Sequence, residues 1–223
     1  MNRYIIFVII FLIPLLGTPQ ESKDHTVSLV YGKPWHPEII NVQENFNFSI
    51  NYQNRFAVVF AFEIFVQYAR INSFPEFSKN EKELNNFIIG QQVTEAIGNT
   101  WWDEMNTFSM GSKIHYSFVN NSKFFFSIYL GAGIYNSTSK SAELNSIQRG
   151  INGEVVSFEF TIPEDNYTGI FYMPGLHFNY NFYKSYIIGL DFNLHRNLDN
   201  DKTYQLPVIP SYYGANLSIG KKF

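Results

Sequence analysis

The chain has 223 residues, a formal net charge of −3 and no cysteine, and 18% of its residues are aromatic. That length suits one sheet-based domain, and the sparse charge leaves no electrostatic footprint for nucleic acid. The missing thiol excludes disulfides, cysteine-bound metals and a lipid-modified N-terminal cysteine.

The first segment is expected to be an export signal, residues 1–22, with the mature domain spanning 23–223. Asn2 and Arg3 form a short positive start, and Tyr4 to Leu16 is an apolar run broken only by Pro14. The run is short for a membrane helix, which needs about 20 residues, and suits a signal peptide. The cut falls between Gly17 and Lys23; the alternative is an uncleaved anchor. Beyond Leu16 no apolar run is long enough for a second helical span.

Period-two alternation then runs almost to the end. Eight strands are expected: Thr26–Lys33, Glu44–Gln53, Phe56–Arg70, Asn106–Val119, Lys123–Thr138, Thr168–Phe182, Ser185–Asn197 and Tyr212–Phe223. Asn54-Arg55, Asn120-Asn121-Ser122 and Tyr183-Lys184 read as tight turns. The other connections are long: Pro34 to Gln43, Ile71 to Met105, Ser139 to Tyr167 and Leu198 to Ser211. Glu154 to Ile162 alternates as well, as a hairpin arm in the third long loop or an extension of a neighbouring strand. The third, fifth and sixth strands exceed the roughly 9–11 residues a tilted membrane strand needs, so they are expected to project on the loop side.

One face of each strand is bulky and apolar. The other is small and polar: Asn45, Asn47, Ser49 and Asn51 in the second strand, Gly189, Asp191, Asn193 and His195 in the seventh. A water-soluble barrel would have to pack every bulky stripe into one narrow interior. Turned inside out, the stripes meet acyl chains and closure satisfies the backbone that lipid cannot. The fold class expected is all-β: an eight-stranded antiparallel up-and-down transmembrane β-barrel, with short periplasmic turns and long extracellular loops.

At "SIYLGAGIYN" (Ser127 to Asn136) and "MPGLHFNYNFYKSYIIGLDFNLHR" (Met173 to Arg196) the chain resembles the small eight-stranded outer-membrane β-barrel proteins, the porin-like group that includes outer membrane protein A. Asp191 takes the place of that group's inward acidic residue. The end "ANLSIGKKF", with Phe223 last, is similar to the signal read by the barrel-assembly machinery, although Lys221 stands where the group has an apolar or aromatic residue. The resemblance implies bacterial outer-membrane location, with membrane lipid, the assembly machinery and an unidentified extracellular ligand as partners. With no periplasmic domain read after Phe223, peptidoglycan binding in cis is not expected.

By parity the lumen receives Glu63, Lys113, His115, His177, Asp191, His195 and Lys222. Buried charges are costly unless paired, so acids and bases are expected to neutralise one another as a plug. A proton- or ligand-responsive lumen is the sharper alternative. Trp101 and Trp102, in the longest loop, are candidates either for partner contact or for interface anchoring. Asp199-Asn200-Asp201 resembles the start of a calcium loop but lacks the glycine and distal glutamate such a site needs, so no metal and no cofactor is expected. A lipid A deacylase would require a His-x-Ser pair, and His195 is followed by Arg196-Asn197. The function expected is non-enzymatic: a structural or surface-binding barrel acting through its loops. A narrow channel for small or apolar solutes is the alternative, and a lipid-modifying enzyme the further one.

Overall fold

The computed structural model describes residues 24–35, 45–72, 100–120, 123–151, 155–161, 164–183, 185–198 and 211–223. The export-signal segment and Asp199–Asp201 lie outside them. Nine strands follow in order: β1 (Asp24–Trp35), β2 (Phe46–Arg55), β3 (Phe60–Asn72), β4 (Thr100–Asn120), β5 (Phe124–Arg149), β6 (Val155–Thr161), β7 (Glu164–Tyr183), β8 (Tyr186–Asn197) and β9 (Ser211–Lys222). Every pairing is antiparallel, and the β4–β5 ladder closes the sheet into a barrel. The barrel wall uses eight of the strands. The ninth, β6, lies end to end with β7 on the same edge of β5, since Glu143 faces Thr161 and Lys140 faces Glu164. The segment expected as a hairpin arm or extension is therefore both at once.

The outward stripe is as expected. Ile50, Val66, Ile114, Leu130, Ile188 and Leu217 are all exposed, while Asn47, Asn51, Gln67 and Asn193 between such residues are buried. The lipid-facing belt ends on the loop side where outward side chains start to bond one another. Asn136 donates to Thr168 Oγ1 at 2.9 Å, one outward position beyond Ile134, and Tyr68 donates to Asn106 Oδ1 at 2.7 Å. Beyond that level β5, β6 and the first residues of β7 continue as a hairpin past the end of β8, which pairs with β7 only from Phe171 onward.

Three expectations need correction. The β2–β3 turn is not Asn54-Arg55: β2 runs to Arg55, and Ala57 and Phe60 exchange backbone hydrogen bonds at 3.3 Å. Register parity requires this. Tyr52 faces Ile64 and Gln53 faces Glu63, so partners share parity; a two-residue turn would set an apolar stripe against a polar one. The projecting strands are β4, β5 and β7, with 21, 26 and 20 residues, while β3 has 13 because its expected start forms the turn. Trp101 and Trp102 lie not in a loop but in β4, opposite Ala142 and Ser141 of the extended β5.

Candidate functional site in the barrel lumen

Glu63 and Lys113 are cross-strand partners on β3 and β4. Both point inward by parity, and their ion pair is 2.7 Å long with side chains 3% and 5% exposed. Asn51 on β2 donates to the same carboxylate oxygen at 2.8 Å, and Ser49 donates to Asn51 Oδ1 at 2.8 Å. The other oxygen has His115 Nε2 at 3.4 Å. The Lys113 ammonium also sits over the rings of Phe65 and Tyr129, at 4.9 and 4.8 Å, a cation–π arrangement that gives the remaining N–H groups a polar surface.

Asp191 on β8 is the second anchor. Tyr129 OH, Asn193 Nδ2 and Asn216 Nδ2 all donate to its Oδ1, at 3.0, 2.8 and 3.2 Å. His177 Nδ1 is 3.4 Å from Oδ2. His115 bridges the two halves: its Nδ1 meets Ser127 Oγ at 3.1 Å, and its ring stands against those of Tyr129 and His177 at 5.0 and 5.5 Å. Tyr129 thus joins the two anchors, its ring under the Lys113 ammonium and its hydroxyl on Asp191, with His115 beside Glu63 and His177 beside Asp191.

Loopward of this charged storey the lumen turns aromatic. Phe65, Tyr129, Tyr135, Phe171 and Met173 form one buried cluster, and Ala69, Ile71, Met105 and Tyr212 another. His195 belongs here rather than with the charges. Its ring is stacked between Phe171 at 4.1 Å and Tyr212 at 4.6 Å. Its Nε2 is 3.5 Å from Ser109 Oγ, and its Nδ1 has no hydrogen-bond partner among the described residues.

On the β7–β9 side the inner face is built from asparagine laid over glycine. Asn179 faces Gly189, Asn193 faces Gly214 and Asn216 faces Gly32. In each pair the amide oxygen stands where a Cβ on the glycine would overlap it. These oxygens have no N–H or O–H donor among the described residues and lie instead on glycine Cα–H groups, which are weak donors.

Six of the seven expected lumen residues are therefore inside: Glu63, Lys113, His115, His177, Asp191 and His195 are all buried. Lys222 is half-buried at the end of β9, opposite Thr26, and its backbone N–H bonds Ser185 O at 2.7 Å, so it marks the short-turn rim. Phe223 is exposed and its backbone N–H bonds His25 O at 2.8 Å. The aromatic storey is the correction to a lumen expected to be small and polar. Phe65, Tyr129, Tyr135, Phe171 and Tyr212 all hold inward positions, which parity alone could have flagged.

No family model matches the chain, and the search of curated proteins finds no match either. Among solved structures, a major outer membrane protein from Thermus thermophilus is 9% identical, covering 91% of this chain and 100% of that one with a TM-score of 0.53. The attachment invasion locus protein Ail of Yersinia pestis is 9% identical, covering 90% and 97%, TM-score 0.46. The N-terminal β-barrel domain of Pseudomonas aeruginosa OprF is 9% identical, covering 91% and 100%, TM-score 0.44. The Thermus likeness is one of fold, and it agrees with the closed ladder and the apolar exterior seen here. By fold, the chain is a small closed eight-stranded antiparallel β-barrel, its apolar stripes facing outward and its polar residues inside.

Proposed function

We propose that the protein is a sealed, non-enzymatic outer-membrane scaffold whose loop side, with the projecting β5–β6 hairpin, meets partners outside the cell. The observation that carries this is the two-storey lumen. The Glu63–Lys113 pair and the Asp191 network fill one level, and Phe65, Phe171, His195 and Tyr212 fill the next. Eight-stranded barrels have interiors that side chains just fill. The hairpin supports the surface role: β5 has 26 residues, far more than the roughly 9–11 a crossing takes. Catalysis at His195 is disfavoured by its setting. A serine nucleophile needs a base that a third group orients, and here Nδ1 has no partner among the described residues and the ring is closed in on both faces.

The experiment is a planar-bilayer recording on the mature chain from Lys23, refolded in detergent. A folded but silent protein is expected. Discrete openings would replace this reading with the conduit, for which one observation speaks: Asn47 Nδ2, Gln53 Nε2, Ser117 Oγ and Ser218 Oγ are buried with no hydrogen-bond partner among the described residues, the kind of group that ordered water satisfies. Glu63, Lys113 and Asp191 would then be its filter.

A further inference from the structure

We propose that the outer wall of the barrel, on its loop-side half, carries a seat for one acyl chain of a lipid drawn from the surrounding leaflet. The seat is a groove of about 480 Å³ formed by β5, β7, β8, β9 and the end of β1, within the roughly 300–1,000 Å³ of ordinary ligand sites. Ile128, Pro174, Leu176, Phe192, Leu194 and Tyr213 line it from the outer face. Tyr129 and Asn193, which belong to the inner face, line it too.

The sequence explains why the wall is hollowed here. Pro174 has no N–H to give a ladder. The β7–β8 register pairs Tyr172 with Arg196 and Gly175 with Asn193, and skips Met173 and Pro174. Gly175, next in line, faces the lumen, and the Tyr129 ring occupies the place where its Cβ would be, which is how an inner-face ring comes to floor the groove. The missing rung at Pro174 opens the wall between β7 and β8 and leaves a concavity in a surface that is otherwise convex.

The occupant follows from where the groove opens. Ile128, Leu176 and Phe192 are 42%, 44% and 49% exposed and belong to the lipid-facing stripe, so the groove is continuous with the lipid interface. At its loop-side rim Trp35 and Tyr213 are stacked at 5.2 Å, as aromatic girdles stand at a membrane surface. A chain lying in the groove gains dispersion contacts on its flanks, which a chain against the convex wall lacks. The seat does not depend on whether the lumen is sealed.

The test is native mass spectrometry of the mature chain, moved from phosphatidylethanolamine–phosphatidylglycerol vesicles into mild detergent. The unmutated chain and Ile219→Trp, which enlarges the belt away from the groove, should each retain one phospholipid. Ile128→Trp should retain at least tenfold less. A lipid-free unmutated chain, equal retention by all three, or a free fatty acid or apolar solute in place of phospholipid would each overturn the proposal. Should Ile128→Trp fail to fold, the Trp101→Phe, Trp102→Phe chain leaves Trp35 as sole reporter. Chain-brominated phosphatidylcholine should then quench it even after dilution into excess detergent. Quenching that vanishes on dilution would overturn the seat.

Discussion

Two lysine–glutamate pairs hold equivalent positions in two unlike regions. Glu63 and Lys113 are cross-strand partners in the barrel wall; Glu164 and Lys140 are cross-strand partners in the ladder that leads into the projecting hairpin. The first pair is 2.7 Å long with side chains 3% and 5% exposed, the second 3.7 Å with 53% and 39%. The backbone geometry is shared, so the difference is solvent. In the lumen each charge has lost water and must recover the cost from fixed neighbours: Asn51, His115 and two aromatic faces. On the hairpin water still serves both groups. An ion pair is therefore a structural commitment in one region and an incidental contact in the other.

The sharpest way to break that comparison is to remove one partner of the buried pair. Lys113→Met leaves the Glu63 carboxylate without its ammonium, and such a loss costs roughly 3–5 kcal/mol. Urea unfolding of the chain in lipid vesicles should show it. Adding Glu63→Leu should recover most of the loss, because a matched apolar pair no longer has charge to solvate. If Lys113→Met costs no more than a surface change, water reaches the lumen and the contrast between regions fails.

Next in size is a backbone test of the asparagine-on-glycine wall. In Gly189→Ala the new methyl would overlap Asn179 Oδ1 and lie 2.6 Å from Phe178 O. Asn179 can swing aside, but the Phe178 carbonyl is fixed in the β7–β8 ladder. Overpacking of this kind costs roughly 1–3 kcal/mol, read in the same unfolding assay.

How much of this is legible in the sequence follows the same division. In the belt, alternation fixes the face of each residue, because lipid on one side and a filled lumen on the other punish a slip of one position. Parity therefore places Glu63, Lys113, His115, His177, Asp191 and His195 inward. The aromatic storey shares that parity but is hidden, because Phe65 lies between Ile64 and Val66, and Phe171 between Ile170 and Tyr172, so inward and outward apolar residues merge into unbroken runs. Of the hairpin only one arm is legible, the alternating Val156, Phe158 and Phe160; the β5 arm escapes for the opposite reason. Ser137, Thr138, Ser139, Lys140 and Ser141 carry no alternation, since beyond the belt neither face of β5 meets lipid. Pairing there is written in backbone groups, which every sequence has.

A smaller effect separates the network around Asp191 from its charge. Tyr129→Phe deletes one of three donors to Oδ1 while keeping the ring on Gly175 and beneath the Lys113 ammonium. A hydrogen bond to a charged group contributes roughly 1.5–3 kcal/mol, and the two asparagine donors that remain set the expected loss at the lower end, about 1.5 kcal/mol. A loss as large as that of Lys113→Met would mean that the tyrosine, rather than the lysine, holds the storey together.

The smallest expected effect completes the comparison from the other side. Lys140→Gln removes the ammonium of the hairpin pair and leaves Glu164 in water. Exposed pairs contribute roughly 0.2–1 kcal/mol and are screened by salt. At 3.7 Å, between side chains 39% and 53% exposed, this pair falls at the low end, so unfolding of Lys140→Gln should be indistinguishable from the unmutated chain at physiological salt. The neighbouring ties explain why the hairpin does not need it: Thr138 Oγ1 donates to Asn166 Oδ1 at 2.7 Å, and the β5–β7 ladder runs unbroken from Phe124 to Lys140. A measurable loss that persists at high salt would show the pair to be shielded from water, and would move the water boundary of the molecule outward along the hairpin.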